Sequence, residues 1–311
     1  MQPETSQAAN VVVVGSLHYD ILVHTSDRPR KGETVQGHAW EPKCGGKGGN
    51  QAVEAARHGG AVAFVGAVGN DGFGATLRAN LQAGGVAVDT VRTIADTGSG
   101  MSVALIDDDG DYGAVIVPGS NWRIGAADVA TATVLDTARV LLLQNEVREQ
   151  VNLLAASKAK AGGATVVWNA APARPADPAL LAVVDIVVVN EIEAEMMGGG
   201  EVRDLTSAAR AATALADGER QVIVTAGGFG CALATADGTL LELPAHQVEV
   251  ASTHGAGDAF AGALAARLAT GAELARAVTY ANVAAAILVR TPEAQRSRLT
   301  AADTLRLLDG V

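Results

Sequence analysis

Val140-Leu141-Leu142-Leu143, a helical pattern over 150–161, Thr165-Val166-Val167-Trp168 and then Ile186-Val187-Val188-Val189 form the stretch that decides the fold. Each short run is apolar at nearly every position, so each is expected to be buried on both faces. A half-solvated strand would alternate instead. An alanine-rich helix between the first two runs gives the pattern of parallel strands joined by crossovers. Working outward, the rhythm recurs. Strands are expected at 11–14, 61–65 and 222–225, and helices near 51–58, 73–83, 128–136 and 205–217. The chain reads as α/β, a mostly parallel sheet with helices on both faces.

Two early segments break that rhythm. Residues 20–44 and 99–117, the second with its Asp107-Asp108-Asp109-Gly110-Asp111 turn, contain no good helix and read as extended hairpins. They are expected to form a small β-sheet lid. No repeat or low-complexity linker divides the sequence, so 1–311 is expected to be a single domain carrying that lid.

Composition narrows the partners. The net charge of −11 argues against nucleic acid or anionic membrane as main partners, but not against ATP, which local N–H groups and magnesium can hold. The longest apolar stretch, 180–189, is interrupted by Asp185 and too short to span a bilayer. The first ten residues lack a signal-peptide apolar core. Cys44 and Cys231 lack metal-ligand spacing and read as reduced thiols. A cytoplasmic protein is expected.

Chemistry enters at Ser252-Thr253-His254-Gly255-Ala256-Gly257-Asp258-Ala259-Phe260. The apolar run 259–268 reads as the body of a helix, which puts 255–258 at its start. The first N–H groups of a helix lack intrahelical acceptors and carry partial positive charge. Gly255, Ala256 and Gly257 leave them open to an anion. A carboxylate there repels phosphate but suits proton removal from a hydroxyl attacking one. A glycine-softened turn with Asp258 as a helix-start acid is the plain alternative. The glycine loop Cys44-Gly45-Gly46-Lys47-Gly48-Gly49-Asn50-Gln51 fails two templates: Lys47 lacks the following Ser or Thr of a P-loop, and no buried strand precedes it as in a dinucleotide fingerprint. Opening a helix with Asn50 in its first turn, it could still pair with sugar hydroxyls.

Together these pieces resemble the ribokinase-like (PfkB) family of sugar kinases, particularly its ribokinase branch, over nearly the whole chain. Six matches occur in the family's order: Val13-Val14-Gly15-Ser16 with Asp20, the 45–52 loop, Asn169-Ala170-Ala171-Pro172-Ala173-Arg174, Val184-Asp185-Ile186, Asn190-Glu191-Ile192-Glu193-Ala194-Glu195, and Gly255-Ala256-Gly257-Asp258. The resemblance implies an ATP-dependent kinase acting on the primary hydroxyl of a small sugar, D-ribose first. Another pentose, a ketose or a nucleoside is the alternative, and a non-catalytic sensor a remote one.

It also implies roles. Asp258 becomes the base, with Gly255, Ala256 and Gly257 as the anion hole. Asp20, His18, Gly46, Lys47, Asn50 and Glu146 become sugar ligands. Asn190, Thr225, Gly227, Gly230 and Asn282 take ATP, and Glu193 takes magnesium through water. Both Asp20 and Glu146 are expected just past apolar strands, at the open end of the sheet. A homodimer through the lid is expected. Two departures stand out: His18 and Tyr19 replace an asparagine and a small residue of the ribokinase branch. In the implied potassium site of Ser252, Glu293 and Ser297, Ser252 replaces an aspartate and Glu293 a glycine. Weakened potassium dependence is expected.

Overall fold

The computed structural model describes residues 9–109, 111–216, 218 and 220–310. In chain order the first half runs β1 (Val11–Val14), β2 (His18–Thr25), β3 (Gly37–Gly45), α1 (Lys47–Arg57), β4 (Val62–Gly69), α2 (Gly72–Ala83), β5 (Val86–Ala87), β6 (Val91–Ile94), β7 (Met101–Ile106), β8 (Tyr112–Val117) and α3 (Ala126–Thr131). The second half runs β9 (Val140–Leu143), α4 (Glu149–Ala161), β10 (Thr165–Asn169), α5 (Pro178–Leu181), β11 (Ile186–Val189), α6 (Glu191–Met196) and α7 (Leu205–Ala216). It closes with β12 (Gln221–Thr225), β13 (Gly230–Ala234), β14 (Leu240–Pro244), α8 (Ala256–Ala269), α9 (Leu274–Arg290) and α10 (Ala301–Leu308).

The main sheet follows the order β14-β13-β12-β11-β10-β9-β1-β4-β5, with β6 on the far end of β4. It is parallel from β12 to β5 and antiparallel only at β12–β13–β14. The period of two in a strand explains why the runs are apolar throughout. Val12, Val14, Leu141, Leu143, Val166 and Trp168 feed one core, packed on Val151, Ala155, Ala208 and Ala212 of α4 and α7. Their alternates Val11, Val13, Val140, Leu142 and Val167 feed the opposite core, packed on α1, α8 and α9 through Ala52, Ala55, Leu264 and Ala281.

The expected lid is present as a second sheet in the order β3-β2-β7-β8. Each segment folds into an antiparallel hairpin, and the parallel β2–β7 pairing joins the two. Some expected boundaries move. The strand expected at 61–65 continues to Gly69, because Gly66 to Gly69 pair with β6. The helix expected at 128–136 breaks at Ala132 into α3 and a 3₁₀ turn over Thr133–Asp136. Of the helix expected at 205–217, residue 217 lies outside the described residues, as does Gly110 in the lid turn.

Strand order reverses at β1. The chain leaves β1 to β4 on one side and returns to β9 on the other, so the carboxyl ends of β1 and β9 flank a crevice. In such sheets that crevice is where ligands bind.

Candidate active site

Helix α8 begins where its sequence was read to begin. Gly255 caps it at φ 81°, a left-handed conformation that suits glycine, and Ala256, Gly257 and Asp258 make the first turn. A Cβ built on Gly257 meets nothing within 4 Å, so the space before these N–H groups is open.

Close packing places the partners of Asp258. At Gly262, one turn further along α8, an added Cβ would lie 2.6 Å from Glu54 Cβ and 2.7 Å from the Gln51 carbonyl oxygen. Helices α1 and α8 therefore cross nearly backbone to backbone. That crossing brings Asn50 and Gln51 over the carboxylate: Asn50 Nδ2 donates to Asp258 Oδ2 at 2.9 Å, and Gln51 Nε2 to Oδ1 at 2.9 Å. Burial raises the Asp258 pKa most, with the Glu146 charge adding to it, while Lys47 and the two amide donors pull it down. The net direction is upward, toward a better proton acceptor.

The residues expected to bind sugar gather around the start of α1. Glu146, three residues past β9, accepts from the Ser16 hydroxyl and from Lys47 N at 2.8 Å, both through Oε2. Its Oε1 is left for a ligand. His18 lies with Nδ1 3.8 Å from Glu146 Oε2, and its buried Nε2 has no partner. Gly46 packs on this strand end so tightly that an added Cβ would lie 2.8 Å from His18 N, and its φ is 86°. Asp20 lies past β1 and in the lid, whose first strand begins at His18 rather than at residue 20; it pairs with Lys43 of β3, and Ser102 Oγ of β7 donates to its Oδ1 at 2.5 Å. The body's strand β1 is four residues long and stops at Val14, so the chain has already turned into the lid by His18.

The residues expected to take ATP and those expected to form the anion hole line one cleft of about 490 Å³. Lys47, Asn190, Glu193, Thr225, Gly227, Gly230, Asn282 and Gly255 to Asp258 all border it. Asn190 and Glu193 cap α6 reciprocally: Glu193 N donates to Asn190 Oδ1 and Asn190 N to Glu193 Oε2, each at 2.9 Å. One carboxylate oxygen thus fixes the helix start and the other remains free. Burial raises the Glu193 pKa, against the opposing pull of the Asn190 N–H and Lys47. Lys47 therefore bears on both Glu193 and Asp258, which border the same cleft. Gly230 is obligatory: a Cβ there would sit 2.0 Å from the Leu243 carbonyl oxygen. Asn282 Nδ2 donates to Pro244 O at 2.9 Å from α9.

The third expected cluster takes another form. Glu293 binds Lys43 Nζ at 2.7 Å through Oε2 and accepts from Ser252 Oγ at 3.0 Å through Oε1, while Ser297 is exposed.

Sequence reasoning gave no role to Gln51, Asn169 or Ser102. Gln51 directly follows Asn50, so its place was readable once the loop was assigned. Asn169 ends β10 at the cleft, with a buried Oδ1 lacking a partner. A polar residue closing an apolar run was its signal. Ser102 reaches Asp20 across 82 positions, and nothing local announces that.

The crevice thus joins a buried carboxylate at a helix start to an open cleft of about 490 Å³, an arrangement suited to phosphoryl transfer onto a small molecule. The chain belongs to the pfkB family of carbohydrate kinases, whose model matches residues 8–301. It is 35% identical to mouse ribokinase over 300 residues, covering 94% of this chain and 93% of that protein. It is 33% identical to Bacillus subtilis ribokinase over 96% of this chain and 99% of the relative. The structure of Arabidopsis thaliana ribokinase complexed with ribose and ATP superimposes with a TM-score of 0.89 at 28% identity, over 97% of this chain and 99% of that one.

Proposed function

We propose that this chain transfers the γ-phosphoryl group of ATP to the primary hydroxyl of D-ribose, giving ribose 5-phosphate. The observation that carries the reading is Asp258: one carboxylate, oriented by two amide donors, in the same helix turn that offers unobstructed N–H groups to an anion. Relatives named ribokinase supply the sugar. In the reaction Asp258 takes the hydroxyl proton as the oxygen attacks phosphorus. Gly255, Ala256 and Gly257 hold the charge on the phosphoryl group, and ADP leaves along the cleft toward Thr225, Gly227, Gly230 and Asn282.

Magnesium would arrive on the ATP phosphates. Among the described residues no group of three or more His, Cys, Asp or Glu side chains could hold a metal ion. The free oxygen of Glu193 fits the role of a carboxylate reaching that ion through water, and the ion would neutralise phosphate charge.

His18 is the residue on which sugar choice rests. It is 5% exposed, beside Glu146, with one ring nitrogen unpaired. An unpaired buried polar atom costs ~1–3 kcal/mol, so a sugar hydroxyl placed on Nε2 is selected over a sugar without one. His18→Asn is expected to change the ranking of a pentose, ketose and nucleoside panel in kcat/KM by roughly 5- to 150-fold. Changes below two-fold for every sugar would remove His18 from the pocket. The same panel, read as sugar-dependent ADP release, tests the whole reading. Saturable sugar binding without ADP release would instead favour a sensor.

The lid supports a homodimer. Trp40, Val115, Ile116 and Val117 are exposed at 66%, 69%, 57% and 48% on its two edge strands, and a partner lid would cover them. Sedimentation at micromolar concentration is expected to give twice the chain mass, and a monomer there would contradict it. A cytosolic location, where ATP is supplied and thiols stay reduced, fits this reading and the two free cysteines. No helix among the described residues is long and apolar enough to cross a membrane.

A further inference from the structure

Arg296 lies in the 3₁₀ turn Glu293–Arg298, beneath the loop that leads into α8. Its guanidinium donates to three backbone carbonyls. Nη1 donates to His254 O at 2.7 Å, Nη2 to Ser252 O at 2.7 Å, and Nε to Thr291 O at 3.0 Å. The side chain is 11% exposed, so this is a built contact rather than a surface arginine at rest. One cation thus ties the chain before the anion hole to the chain after α9.

The position of these carbonyls gives the contact a consequence for the chemistry. The His254 carbonyl and the Gly255 N–H belong to the same peptide unit. A charged donor on that oxygen draws electron density toward it and strengthens the N–H, which opens the anion hole, as a donor. It also holds the peptide plane ahead of Gly255, a residue at φ 81° with no side chain of its own to restrain it.

The same contacts decide against the potassium ion that the resemblance implied. A potassium ion needs several free oxygens. Here Ser252 O and His254 O already accept from Arg296, both oxygens of Glu293 are engaged by Lys43 and Ser252 Oγ, and Arg296 Nη1 lies 3.9 Å from Glu293. A further cation would meet two fixed positive charges. These residues do not fit it.

We propose that Arg296 is a positioning residue, the chain's own fixed cation for the loop ahead of the anion hole, and that phosphoryl transfer here needs no monovalent metal ion. The proposal rests on the kinase reading above. Its test measures kcat and both KM values for the native chain, Arg296→Ala and Arg296→Lys, with saturating magnesium. Each is assayed in potassium and in tetramethylammonium at equal ionic strength, and Arg296→Ala also with added guanidinium.

The native kcat is expected to differ by less than two-fold between the two cations. Arg296→Ala is expected to lose roughly 10- to 100-fold in kcat, somewhat less than loss of a direct oxyanion donor costs, with both KM values within a few-fold. Lysine at 296 or free guanidinium restores part of that loss. Strong potassium activation of the native chain overturns the proposal, as does an alanine variant with near-native kcat. A loss that neither lysine nor guanidinium relieves also overturns it, because Arg296 would then be a structural tie alone. Absence of turnover in the native chain with either cation overturns the kinase reading and the proposal together, and is distinguishable from the other outcomes because no variant comparison is needed to see it.

Discussion

Asp258→Asn lowers kcat by roughly 10²–10⁴-fold, the usual contribution of a positioned base, while KM for the sugar stays within a few-fold. The amide keeps the shape of the carboxylate and its place in the first turn of α8, but it cannot accept the proton. The loss therefore falls on the step and not on binding. Asp258 also predicts a pH profile. Its pKa is raised above the ordinary carboxylate value, by burial first and by Glu146 next. The base is then protonated, and inactive, up to a higher pH than an exposed aspartate would be, so kcat/KM falls on acidification before an exposed aspartate would titrate. The sign for stability is opposite to that of a salt-bridged carboxylate. A raised folded-state pKa means that ionisation costs stability, a contribution present at low pH and lost as pH rises through the folded value. The asparagine variant should therefore melt no lower than the native chain at neutral pH. A melting temperature well below native would mean the kinetic loss came from misfolding, and near-normal turnover would remove Asp258 from the role of base.

Asp20→Ala raises KM for the sugar by roughly 10- to 150-fold and leaves KM for ATP nearly unchanged. A hydrogen bond to a charged group is worth about 1.5–3 kcal/mol, and Asp20 is held ready by Ser102 on the neighbouring lid strand. Because Asp20 belongs to β2, a contact of its carboxylate with the sugar would couple binding to lid position. The body supplies Glu146 and Asp258; the lid supplies Asp20. A sugar bridging the two sheets would draw the lid over the site and keep water from taking the phosphoryl group. The checking measurement is steady-state kinetics with each substrate varied. Equal increases in both KM values would mean that the substitution had disturbed the lid as a whole.

The body of the fold was legible because parallel strands buried on both faces leave no room for polar residues. Val11–Val14, Val140–Leu143 and Ile186–Val189 stand where they were read. Helix α9 was not recognised. Its sequence, Leu274–Arg290, is rich in alanine, so its own propensity agrees with the helix; the scattered β-branched residues Val278, Thr279, Val283, Ile287 and Val289 break up a plain helical pattern. Strands β13 and β14 were missed because Gly230–Ala234 is short and small, and β14 alternates exposed and half-buried residues at the sheet edge.

In the site, residues next to a motif could be read, and residues brought in by topology could not. Gly255 to Asp258 announce a helix start by themselves. Arg296 reaches Ser252 and His254 from more than 40 positions away, and Ser102 reaches Asp20 from the neighbouring lid strand across 82.

The central claim is that Asp258 and its anion hole move phosphate from ATP to one hydroxyl of ribose. Phosphorus NMR of a reaction holding the purified chain, magnesium-ATP and ribose tests it most directly. The expected spectrum shows ADP and a single new phosphomonoester coupled to the two protons of the ribose C5 methylene, in equal amounts, and with Asp258→Asn both accumulate roughly 10²–10⁴-fold more slowly. Inorganic phosphate in place of the sugar ester, or a phosphomonoester that persists undiminished in the asparagine variant, would contradict the account.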